Sequence, residues 1–254
     1  MEWRKIERMR RRAEPFARRE FLRALRVYNN KFFDRIEGAT SIDQIVQASQ
    51  REFSDQFIRE GYYRVYDRVG VQFAKEGLRD FKGHKWNLEK KDLADEFEYL
   101  WAKLITDFVD NKCAARIAKV TRTTYEGIVD VTKQVVDKGM RDNLAIKDIA
   151  KGIQKEMKQM ELWKSLRIAR TEVVTASNAG NLKGAEASGL QLNKIWVTAI
   201  DDRTRTGHMD ANGQERDMHE DFDVDGEMLE IPGDPGGSAE NVINCRCSAV
   251  YQQK

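Results

Sequence analysis

Proline is scarce in this chain of 254 residues: Pro15, Pro232 and Pro235 are all there are, so residues 16–231 contain none. Proline breaks helix interiors, and a window of that length without one leaves long helices free to form. Cysteine is equally scarce, at three residues, an odd number in a long chain, and no disulfide framework is implied. No apolar run approaches the roughly 20 residues of a membrane span. The start, MEWRKIERMRRR, is basic but lacks the apolar stretch of a signal peptide. A protein made and kept in a cytoplasm, with no membrane partner, is the expectation. There is also no phosphate-cradling glycine loop. The Pro232–Gly237 stretch PGDPGG precedes no helical pattern of the kind that motif requires and reads as a rigid turn.

What is present is charge. The charged fraction is 34%, above the roughly 25% usual for globular proteins, and it suits long, solvated helices. The net charge of +2 conceals an asymmetry. Residues 1–35 hold twelve Lys and Arg against five Asp and Glu, whereas residues 198–240 hold three against thirteen. The basic start offers Arg8, Arg10, Arg11, Arg12, Arg18 and Arg19 to DNA or to an acidic protein rim. A solvated helix face explains the same residues.

The spacing predicts an α+β protein, predominantly helical, with a helical body over 1–140 and a second region over 141–254. In the body, Ser41 and Gln44 have the form of a capping box, with Ile42, Ile45, Val46, Phe53 and Phe57 behind them at helical spacing. A further helix is expected to start near Asn87, with Leu93, Phe97, Leu100, Trp101, Leu104, Ile105 and Phe108 as its apolar stripe. Gly127 and Gly139 interrupt the next helical run as packing points or breaks. Residues 142–188 read as shorter helices, a small one over Ala145–Ile153 and a longer one from Leu166 to about Ala187. Such a pair fits a scaffold or a DNA-reading helix-turn-helix. From Gly189 to Tyr251 the pattern turns to strands. Lys194–Ala199 is β-branched and aromatic, and Asn212-Gly213 and Asp225-Gly226 are hairpin-turn dipeptides. Cys245, Cys247, Ala249 and Tyr251 share a face if extended.

Chemistry concentrates in this second region. Cys245 and Cys247, two apart, with His208 supply sulfur and nitrogen donors of the kind zinc takes, and His219 or an Asp would have to be the fourth. Two buried thiols in a small module account for the same pattern. The same residues permit a thiolate nucleophile with Asp201 orienting His208, or a metal-dependent nuclease or hydrolase. Asp221, Asp223, Asp225 and Gly226 copy half of a calcium loop, but Pro232 stands where its bidentate Glu belongs. The leading reading is structural: Asp201, Arg203, His208, Asp234, Glu240 and Arg246 fix a module with little apolar core through arginine–carboxylate contacts.

The order of motifs over residues 140–251 resembles the phage Mu F-like head morphogenesis family. It comprises IARTE with Arg170 and Glu172, then W-x-x-x-x-D-D-R-T-R-x-x-H from Trp196 through Asp201, Arg203 and Thr204 to His208. Gly213 follows, then F-x-V-x-G ending at Gly226, P-G-D-P with Pro232 and Asp234, and E-x-V-I-N-C-R-C with Asn244, Cys245, Arg246 and Cys247. The resemblance implies a structural minor head protein of a tailed phage and not an enzyme. Its partners would be the portal and the major capsid or scaffold proteins. It would sit in the virion, in the head interior or at the portal vertex, after assembly in the host cytoplasm. Some relatives are linked to DNA binding or delivery, so a DNA-binding ejection factor is an alternative. Others fuse the module to toxin domains, and no such fusion is expected here. Some members carry further cysteines near the Arg-Thr string, where this chain has Arg205 and His208.

Overall fold

The computed structural model describes residues 1–51, 54–82 and 91–254, the side chains of 82 and 91–96 excepted. Phe53, the helix start near Asn87 and the Leu93 side chain therefore lie outside the described residues. Six helices come first: α1 (Trp3–Ile36), α2 (Ile42–Ser49), α3 (Gln56–Lys82), α4 (Lys91–Lys112), α5 (Ala114–Arg141) and α6 (Ile146–Ala187). A smaller module follows, in the order β1 (Leu192–Val197), α7 (Thr206–Asp210), β2 (Glu215–Asp217), β3 (Phe222–Val224), β4 (Glu227–Leu229), α8 (Ala239–Val242) and β5 (Ser248–Gln253). The α+β class, mostly helical, is the one the sequence predicts. No helix among the described residues is long and apolar enough to cross a membrane.

Compactness divides the chain into two units, neither continuous in sequence. One comprises 1–18, 62–114 and 167–254; the other comprises 19–61 and 115–166. The split expected at 140/141 falls inside the second. In that unit Ser41 caps α2 by accepting from Gln44 N at 3.3 Å, while Gln44 Oε1 reaches back to Thr40 N at 2.8 Å, one residue earlier than in the standard box. Gly127 and Gly139 prove to be packing points within α5, where an added Cβ would meet Met160 and Ile149. Asn29 Nδ2 donates to Glu161 Oε1 at 2.6 Å, so this buried carboxylate is satisfied.

Helix α6 corrects the sequence reading. The two short helices expected in 142–188 are the ends of one helix of 42 residues. The segment between them, QKEMKQMELWKS, holds no glycine or proline and consists mostly of strong helix formers, so nothing breaks it. The helix-turn-helix reading falls with the missing turn. In α4, Trp101 and Ile105 of the expected stripe are buried while Leu100 is 45% exposed, so the buried face is narrower than the pattern implied.

In the first unit, α6 lies against α3 at backbone contact. A Cβ on Gly180 would stand 2.1 Å from the Gly70 carbonyl oxygen, and one on Gly184 would stand 2.3 Å from that of Ala74. The four-residue spacing of Gly180 and Gly184 puts both on one face of α6, and this close approach is what they permit.

The module builds on β1, the centre of a three-stranded antiparallel sheet ordered β2-β1-β5, in which Trp196 pairs with Ala249 and Ile195 with Val250. The expected hairpin is β3–β4, closed by Asp225 (φ 56) and Gly226 (φ 79) with positive φ at both turn residues. The Asn212-Gly213 turn closes no hairpin; it carries the chain from α7 into β2, with Gly213 N donating to Trp196 O at 2.8 Å. Cys245, Cys247, Ala249 and Tyr251 are all buried.

Gly180→Ala drives a methyl into backbone that cannot rotate aside. Overpacking of this kind costs about 1–3 kcal/mol, and more where main chain must shift. Chemical denaturation should show a loss of about 2 kcal/mol or more; an unchanged midpoint would contradict the close α3–α6 approach.

Candidate functional site

The site starts on one face of α6. Thr171, Thr175, Ser177, Asn178 and Asn181 are buried there, although small polar residues are ordinarily poor choices for a helix interior. Except for Ser177, which Arg10 reaches, they bond main-chain groups of the module. Thr175 Oγ1 donates to Gly233 O at 2.7 Å, and Asn178 Nδ2 donates to Pro232 O at 2.8 Å. Asn178 Oδ1 accepts from Ala249 N at 3.1 Å, Asn181 Nδ2 donates to Ala249 O at 2.9 Å, and Thr171 Oγ1 accepts from Asn244 N at 3.1 Å. Asn244, at φ 56, turns the chain so that its own amide meets α6.

Arg10 of α1 joins the same assembly. Its Nε donates to Ser177 Oγ at 2.6 Å and its Nη1 to Cys247 O at 3.1 Å and Ser248 Oγ at 2.9 Å. Burial lowers its pKa to about 10, and the guanidinium stays charged at neutral pH. Arg10 is therefore part of the module and not of a basic surface. Of the other candidate contacts, Arg8, Arg11, Arg12 and Arg19 are exposed and Arg18 is half-buried. Arg11 pairs with Glu7 at 2.9 Å.

Beside Arg10 the fold brings together the three predicted sulfur and nitrogen donors. His208 on α7, Cys245 and Cys247 are each 2% exposed, and their donor atoms lie within 4.8 Å of one another. His208 Nδ1 stands 3.3 Å from Cys247 Sγ and 3.8 Å from Cys245 Sγ. Its Nε2 faces Asn241 Oδ1 at 3.3 Å, and Asn241 Nδ2 in turn donates to Val224 O at 3.3 Å. Trp196 stacks edge-on against the imidazole, with centroids 5.7 Å apart, and its Nε1 donates to Thr198 Oγ1 at 3.0 Å. Thr198 Oγ1 donates to His208 O at 2.7 Å, which fixes α7 against β1. The thiols are polarised in opposite directions. Contact with Cys245, together with His208 and Thr198, lowers Cys247, while contact with Cys247 and burial raise Cys245.

The other predicted donors are elsewhere. His219 is 72% exposed beside Glu186. Asp201 does not orient His208; Asn241 does, one helical turn before Cys245, and the E-x-V-I-N-C-R-C motif passed over it as its variable position. Asp221, Asp223 and Asp225 form no donor cluster among the described residues, and Asp223 Oδ1 instead accepts from Gly226 N at 3.0 Å within the hairpin turn. The calcium-loop pattern is thus a β-turn pattern.

The arginine–carboxylate fixing is present at the surface. Asp201 takes a two-pronged contact from the Arg246 guanidinium, and it also accepts from Arg203 N at 3.0 Å and Thr204 Oγ1 at 3.3 Å. Thr204 Oγ1 further contacts Ala199 O, and Arg205 donates to Ile243 O at 2.6 Å. Asp234 plays a different part from the one expected, accepting from Glu230 N and Gly236 N, both at 2.8 Å, and so holding the PGDP turn. Glu240 is exposed on α8 and makes no ion pair among the described residues. Arg170 pairs with Glu14 at 2.9 Å, while Glu172, two residues on, turns inward to accept from Tyr66 Oη at 2.6 Å.

The Arg246 contact holds the Asp201 carboxyl well below the usual carboxylate range. A depressed pKa contributes stability above the unfolded value, about 3.9, which is lost as pH falls through the folded one. Asp201→Asn should therefore unfold more easily than the parent at pH 7, with the gap closing as pH drops below about 4. A gap that stays constant across an acid denaturation series would contradict the pairing.

Residues 127–250 match the family described as Phage Mu protein F like protein. Over 153 residues, 57% of this chain, the sequence is 29% identical to NAD(+)–arginine ADP-ribosyltransferase EFV of Enterococcus faecalis, a match spanning 31% of that protein. Over 138 residues, 53% of the chain, it is 29% identical to Minor head protein GP7 of Bacillus phage SPP1, spanning 44% of that protein. The chain thus spans less than half the length of either relative. No solved structure matches it. The cysteine–histidine cluster, the Asp201 clasp and the polar face of α6 all lie within the matched residues. The similarity to the Phage Mu protein F like family runs through that segment, 127–250.

Proposed function

We propose that this protein is a structural minor component of a tailed-phage head, present in the virion and acting in head morphogenesis. The family match and the similarity to a protein named as a minor head protein support the reading. The observation that carries it is the burial of the chemistry. His208, Cys245 and Cys247 are each 2% exposed, and Asp201 is committed to Arg246. Side chains so engaged hold a shape; substrate turnover needs groups that a substrate can reach.

The finer parts of the proposal concern place and partners. The helical region docks on the portal, the major capsid protein or the scaffold, in the head interior or at the portal vertex. Exposed Arg8, Arg12 and Arg19 are the arginines available to packaged DNA, and Arg10 is withdrawn from that role. Nothing of the transferase's activity is carried over, because the alignment leaves 69% of that protein outside it.

Heads assembled with and without this protein test the proposal through their composition. The protein should be found in purified heads at low copy, and heads made without it should be defective in assembly or in DNA content. Heads that form normally and never contain it would overturn the reading.

A further inference from the structure

We propose that His208, Cys245 and Cys247 are three ligands of a single thiophilic divalent cation, zinc by preference. This inference is independent of the role in the head. Two thiolates and an imidazole form the donor set that zinc selects over harder cations. Zinc–sulfur bonds of about 2.3 Å and zinc–nitrogen bonds of about 2.0–2.1 Å, at tetrahedral angles, place sulfur and nitrogen about 3.6 Å apart. The two separations here, 3.3 and 3.8 Å, bracket that value. The donors come from two segments 37 residues apart in sequence, so their convergence is a product of the fold.

The imidazole is prepared for coordination. Asn241 is oriented by its own amide nitrogen, which donates to Val224 O, so its oxygen is what faces His208 Nε2. Nε2 then carries the proton and Nδ1 turns its lone pair toward both sulfurs. A ligating histidine typically donates its other N–H to such an acceptor. Cys247 N donates to Cys245 Sγ at 3.4 Å, an outer contact of the kind that orients a ligand sulfur.

Three protein donors leave one tetrahedral position for an outside ligand. Two thiolates, a neutral imidazole and a divalent cation sum to zero charge, so the buried Arg10 guanidinium still needs an anion. Arg10 Nη2 has no acceptor among the described residues. Arg10 and Cys245 both line a cleft of about 590 Å³, and the fourth ligand we assign is a small anion such as hydroxide held against Arg10, not a substrate.

The test is metal analysis of the full chain, purified without chelator. We expect one zinc per chain. The cobalt(II)-substituted protein should show thiolate-to-cobalt charge-transfer absorption. Cys245→Ser, Cys247→Ser and His208→Ala should each lose stoichiometric metal, whereas Cys113→Ser, outside the cluster, should keep it. Asn241→Ala should bind zinc about 10- to 100-fold more weakly. Wild-type protein that is metal-free, and whose melting temperature added zinc leaves unchanged, would overturn the proposal. So would a cobalt complex without the sulfur band, or a Cys245–Cys247 disulfide in place of metal. The cobalt spectrum reads the ligands in the wild-type protein, so variants that fail to fold cannot decide the question.

Discussion

The small polar side chains along α6 make hydrogen bonds that most helices give to water. Thr171, Thr175, Asn178 and Asn181 follow one another at intervals of three or four residues, which keeps them on one face. Each bonds main chain in the module, from Pro232 through Asn244 to Ala249. A buried backbone group left without a partner costs about 1–3 kcal/mol, so these side chains hold the module where it is. The module has short strands, of three to six residues. Its position depends on being hydrogen-bonded to α6.

Arg10 extends the same logic to the start of the chain. Its guanidinium bonds Ser177 of α6 together with Cys247 and Ser248 of the last strand region, and so ties three parts of the sequence together. A buried charge is tolerated only when it is well bonded and faced by opposite charge. Cys245 and Cys247 face it in the free cluster, and an anion at the open position would do so once a cation neutralises them. Structure and chemistry thus meet at one place, where the group that closes the fold lies beside the thiols.

Much of this was legible in the sequence. Alternating Phe222 and Val224 around Asp225-Gly226 specify a hairpin by pattern and turn chemistry alone, and β1 announced itself by β-branched and aromatic residues. The convergence of His208 with Cys245 and Cys247 was legible as a candidate because the donor types are rare in this chain. The role of Arg10 was not. In a run of arginines, nothing local separates the one that is buried from those that face water. The continuity of α6 was missed because the linking stretch 154–165 buries Glu161, Lys164 and Ser165 beside Met157 and Met160 and exposes Leu162 and Trp163, so its apolar periodicity is weak. Asn241 and the Gly180–Gly184 pair were missed for a related reason. Their significance lies in what approaches them across space, which spacing along one segment does not encode.

A module fixed in this way suits the proposed role as a structural component of a phage head. The central claim is that polar contacts from α6 hold the module as firmly as a core would. Hydrogen exchange of individual amides tests it most directly. The Ala249 and Asn244 amides, which donate to Asn178 and Thr171, should exchange as slowly as the buried centre of α6. Exchange at these two amides as fast as at the exposed tip of the β3–β4 hairpin would contradict the account.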